Sequence, residues 1–196
     1  MPGIRCLPSQ SMKRKPIPEV EQLSAESVQL YGVLNNESDL GCVLIASSYL
    51  DYALASLLKR YFVESKLVSK LLDPPGGTVS TFAARSALAY CLGLIPKGLY
   101  RNLETIGNIR NAFAHSYLSV TLDSAEIAVF VDALIPPTLS HTIVIDNDVT
   151  HKGPQPMQLN GSNRERFNIV AVVMVNRLLV TGLSTKHLTK ALKGWD

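Results

Sequence analysis

The chain has 196 residues, 46% of them hydrophobic and 18% charged, with a formal net charge of +3. That length and balance fit one domain with a single buried core, and the weak positive charge excludes a dedicated nucleic-acid coat protein. Cys6, Cys42 and Cys91 are far apart, form no Cys-x-x-Cys pair, and read as buried thiols in a reducing cytosol rather than as a zinc site.

Residues 1–16 carry three prolines together with Arg5, Lys13, Arg14 and Lys15, and are expected to form a mobile basic arm with no secretory signal, ahead of a single helical domain over 17–196. Val20, Leu23, Val28, Leu30, Val33 and Leu34 predict a first helix to about Asn35, after which the polar cluster at 36–39 caps or breaks the chain. From Leu40 the apolar positions Val43, Leu44, Leu50, Leu54, Leu57, Leu58 and Tyr61 recur at threes and fours, predicting a long core helix over 40–62. Asp51 falls on that stripe. A carboxylate there needs a cation, since burying it alone costs several kcal/mol, and Arg85 and Arg110 are the candidates.

A shorter helix is expected over 63–72, followed by a turn at Asp73-Pro74-Pro75-Gly76-Gly77, which lacks the Gly-Lys-Ser/Thr of a phosphate loop. Ser80 or Thr81 can cap a helix over 82–92 that Gly93 terminates, with Arg85 on its first turns. Pro96 begins another helix, with Leu99, Leu103, Ile106, Ile109, Arg110 and Phe113 facing inward and Arg101, Asn102, Glu104 and Asn108 outward. Asp123 or Ser124 starts a helix over 125–134, stopped by Pro136-Pro137. The β-branched run Thr142, Ile143, Val144, Ile145 and the polar residues up to Gly161 predict a small extended insertion near 142–160. Helix returns over 163–182, and a short helix over 185–193 closes the chain. The apolar run at 169–183 is interrupted by Asn176 and Arg177 and reads as too short to span a bilayer. The expected architecture is therefore an all-α bundle of six to seven helices, cytoplasmic and without a membrane partner.

The densest group of reactive side chains lies between positions 110 and 117, where Arg110, Asn111, His115 and Tyr117 end a helical segment. At about 100° per residue, Asn111 and His115 share one face and Arg110 an adjoining one. Across a groove or a two-fold axis, Arg110 and His115 could meet one phosphate. Arg grips phosphate oxygens with a permanent planar cation, and His can take a proton from a ribose hydroxyl or return one to a leaving oxygen, with no metal and no cofactor. The structural alternative pairs Arg110 with a carboxylate inside the bundle and Asn111 with His115.

Arg110, Asn111, His115 and Tyr117 late on a long helix resemble the signature of the HEPN superfamily. That resemblance implies an all-helical homodimer in which two copies of the motif face each other, and in many members a metal-independent RNase. A longer stretch resembles the mannitol operon repressor family. It comprises Glu37-Ser38-Asp39, Gly41-Cys42-Val43-Leu44, Tyr49-Leu50-Asp51, Phe82-Ala83-Ala84-Arg85, Leu88-Ala89-Tyr90 and Gly93-Leu94-Ile95. Members are helical transcription regulators without an evident DNA-binding element, and this chain likewise offers no helix-turn-helix.

Two functions are thereby expected to compete. In the first, Arg110 and His115 cut RNA to a 2′,3′-cyclic phosphate in a toxin or defence setting, supported by Asn111, Tyr117, Asp51 and Arg85, with Tyr117 a target for modification by an antitoxin partner. In the second, the chain is a noncatalytic regulator that acts through a protein partner. An interaction module that only dimerises is a third reading.

Overall fold

The computed structural model describes residues 20–115, 120–145, 148–186 and 188. The expected arm over 1–16, Tyr117 and most of the closing helix expected over 185–193 lie outside them. The elements run α1 (Val20–Asn36), α2 (Asp39–Tyr61), α3 (Lys66–Leu72), α4 (Phe82–Cys91), α5 (Lys97–His115), α6 (Ala125–Asp132), β1 (Thr138–Ile145), β2 (Asp148–Pro156) and α7 (Asn163–Ser184). This is the expected all-α bundle, with the extended insertion resolved as one antiparallel hairpin. The hairpin starts at Thr138, earlier than the β-branched run suggested, because Pro136 and Pro137 end the helical course and leave the chain extended.

Helix boundaries follow local chemistry. The Ser38 side chain accepts from the Gly41 amide and starts α2, Thr81 does the same for Ala84 in α4, and Ser162 with Glu165 forms a reciprocal capping box on α7. Gly93, at φ +69°, lets the chain leave α4 in the left-handed region while the Leu94 amide donates to the Ala89 carbonyl.

Helix α2 lies at the centre and packs against α1, α3, α4, α5 and α7. Leu50, Leu54, Leu57 and Leu58 are fully buried there, each contributing roughly 1.5–3 kcal/mol of burial, and Phe167, Val170 and Leu178 of α7 join the same core. At 23 and 22 residues, α2 and α7 are long and apolar enough to cross a bilayer, which corrects the expectation that the α7 run is too short. In this fold the two helices bury their apolar faces against each other. The cysteines also differ from expectation: Cys42 is buried between α2 and α7, whereas Cys91 at the end of α4 is exposed.

Candidate functional site

The two arginines offered to Asp51 separate cleanly. Arg85 Nη1 lies 2.5 Å from Asp51 Oδ1, and Arg85 Nη2 donates to the Leu72 carbonyl at 2.7 Å. The guanidinium is 5% exposed and the carboxylate 36%, so the pair is an internal brace joining α2, α4 and the end of α3. Arg110 is exposed and makes no ion pair among the described residues, which corrects its placement on the inward stripe. The reason lies in helix overlap. Tyr90 stacks on Tyr100 with ring centroids 4.9 Å apart, and Phe82, the first residue of α4, sits against Gly107. The antiparallel α4 thus covers α5 only as far as Gly107 and stops about a turn short of Arg110.

Asn111 and His115 are exposed one turn apart, and no hydrogen bond joins them among the described residues. Arg110 and His115, five residues apart on one helix, point about 140° from each other. Within one protomer they do not converge. The structure therefore brings together Asp51 and Arg85, leaves Arg110, Asn111 and His115 open to solvent, and places none of the first pair beside the second group.

Sequence reasoning missed Asn102. Expected to face outward, it is buried, and its carboxamide takes both backbone groups of Ile135: Nδ2 donates to the carbonyl at 2.9 Å and Oδ1 accepts from the amide at 2.8 Å. Its position three residues after Leu99 and four before Ile106 was the available signal. This bond pins the segment after α6 onto α5. Between that segment, α4 and the outward face of α5 runs a groove of about 610 Å³, lined by Phe82, Arg101, Glu104, Asn108, Asn111 and Ile135 among others. The Tyr100 hydroxyl donates to Glu104 Oε1 at 2.8 Å, and that bond raises the tyrosine pKa above its ordinary value. Among the described residues no cluster of His, Cys, Asp and Glu could hold a metal.

The described residues define a helical bundle carrying an added hairpin. No protein-family model and no curated protein matches the chain. Among solved structures, a chain in the X-ray structure of the MtlR-HPr complex from Escherichia coli matches with a TM-score of 0.53 at 17% identity, over 81% of this chain and 98% of that one. The chain accordingly has an MtlR-like fold, in line with the longer of the two sequence resemblances. At that identity the likeness is one of fold alone.

Proposed function

We propose that this chain is a noncatalytic regulator of the mannitol-repressor type that works by binding a protein partner. The observation that carries the reading is the fold it shares with a chain whose solved structure is a complex with another protein, HPr. The open groove along α5 supplies a surface on which a partner can act without chemistry. Isothermal titration of the purified chain with HPr tests the reading. The expected result is binding in the micromolar range, unchanged by His115→Ala, with no cleavage of single-stranded RNA in EDTA. Absence of HPr binding together with RNA cleavage would overturn it.

A second reading, the HEPN-type ribonuclease, is favoured by one specific observation: Arg110, Asn111 and His115 are exposed, and Asp51 is satisfied by Arg85 rather than by Arg110. A homodimer would bring two copies of the motif face to face. His115 of one protomer would deprotonate the 2′-hydroxyl, Arg110 would stabilise charge on the phosphoryl oxygens, and the second His115 would protonate the leaving 5′-oxygen. Asn111 would orient His115 or touch RNA, and Tyr117 would line the site as a target for an antitoxin. Loss of EDTA-resistant cleavage in both Arg110→Ala and His115→Ala, at unchanged stability, is the signature this reading requires.

A further inference from the structure

The groove between α4, α5 and the segment after α6 has a chemistry that the Arg110 and His115 motif does not use. Its long wall is the outward face of α5, where Arg101, Glu104, Asn108 and Asn111 follow one another at spacings of three, four and three, all exposed. Among the described residues lining the groove, Arg101 is the cation and Glu104 the carboxylate. That carboxylate already accepts the Tyr100 hydroxyl bond, whereas Arg101 has no ion pair among the described residues. The opposite walls add no free acid: Asp132, near the end of α6, is paired with Arg166 at 2.6 Å, and the wall residues there are Ala133 and Ile135.

The carboxamides say what backbone geometry fits. Asn102 already holds a stretch of non-helical chain by taking both the N–H and the C=O of Ile135. Asn108 and Asn111, one turn apart in the groove, offer the same paired donor and acceptor and have no hydrogen bond among the described residues. Phe82 and Ile135 supply apolar contact on either side.

We infer that this groove binds an extended segment of a partner protein in which acidic and apolar residues alternate. An acidic side chain meets Arg101, an apolar one seats between Phe82 and Ile135, and the backbone is held by Asn108 and Asn111. The inference deepens the regulator reading and rests on it for the partner's being a protein.

The test uses the full chain and three fluorescein-labelled probes: a ten-residue peptide alternating Glu and Leu, one alternating Lys and Leu, and a ten-nucleotide oligouridylate, read by anisotropy. The Glu/Leu peptide is expected to bind. Arg101→Glu and Gly107→Met should each weaken it at least tenfold, the first by reversing the charge and the second by filling the groove, where a Cβ meets the Phe82 ring at an ordinary 3.6 Å. Asn108→Ala with Asn111→Ala gives a second, surface-only variant expected to do the same, and Val180→Gln on α7 should leave binding unchanged. Undiminished affinity in the groove variants, equal binding of the Lys/Leu peptide, or binding of oligouridylate in place of the peptide would overturn the inference. HPr binding that survives Arg101→Glu and Gly107→Met overturns the groove assignment alone. A wild type that binds the Glu/Leu peptide but no HPr counts against the regulator reading alone.

Discussion

The Asp51 carboxylate and its two candidate cations give the sharpest contrast between neighbouring residues. Arg85 is buried and among the described residues its guanidinium reaches Asp51 and the Leu72 carbonyl, so Asp51→Ala leaves a buried cation without its counter-charge. Asp51 is itself partly exposed, which discounts the loss, and about 2 kcal/mol is expected. Arg110→Ala, on an exposed side chain, should change stability by less than about 0.5 kcal/mol. Urea unfolding of the two variants checks the assignment: a larger loss from Arg110→Ala would reverse it. Cys42 gives the pH dependence. Its thiol donates to Asn168 Oδ1 at 2.9 Å, and burial, outweighing the nearby Arg164 cation, raises its pKa from 9.0 to about 11. Between those values the unfolded chain releases a proton that the folded chain keeps. This contribution is therefore intact below pH 9 and is lost as pH rises towards 11, by about 2 kcal/mol at most. Thermal melts from pH 8 to 11 should show a steeper decline for the wild type than for Cys42→Ala.

Among the helices, one side chain joins three. Arg164, in the first turn of α7, pairs with Asp39 at the start of α2 and donates to the Leu34 carbonyl at 2.6 Å and to the Glu37 carbonyl, satisfying orphan acceptors at the end of α1. Asp39 in turn accepts from the Leu122 amide at 2.7 Å, tying down the chain after α5. Arg164→Met should therefore cost about 2–3 kcal/mol and speed amide exchange first in the last turn of α1. An unchanged exchange pattern there would show the joint to be dispensable. None of this was legible in advance, because a pairing across more than a hundred residues leaves no local pattern. The elements themselves were legible. Threes-and-fours spacing located α1, α2, α5 and α7, while the polar cluster at 36–39, the caps offered by Ser80 or Thr81, and Gly93 marked the start of α2 and both ends of α4 by chemistry that acts within four residues. Periodicity failed where burial depends on a neighbour's length. Arg110 is in phase with the core stripe yet exposed, because α4 begins at Phe82, and Asn102 is polar yet buried, because the Ile135 backbone comes to meet it.

For the molecule as a whole, the question is whether the end of α5 is a reaction centre or a plain surface. The exposed groups of the motif contribute almost nothing to folding, which makes them separable from stability. Arg110→Ala combined with His115→Ala should move Tm by less than about 4 °C, since exposed substitutions stay within about 0.5 kcal/mol each and a chain of this length shifts about 2–4 °C per kcal/mol. On the regulator reading, the same double variant binds HPr within twofold of the wild type, because recognition lies along the groove from Arg101 to Asn111 rather than at the helix end. On the ribonuclease reading, the variant folds equally well and loses EDTA-resistant cleavage altogether, since one protomer holds its Arg110 and His115 about 140° apart and a site assembled from two copies fails when both groups are removed from each. Tm, HPr affinity and RNA cleavage measured on one preparation therefore decide between the readings. A large fall in Tm would count against the ribonuclease reading, by showing that the end of α5 is built into the core.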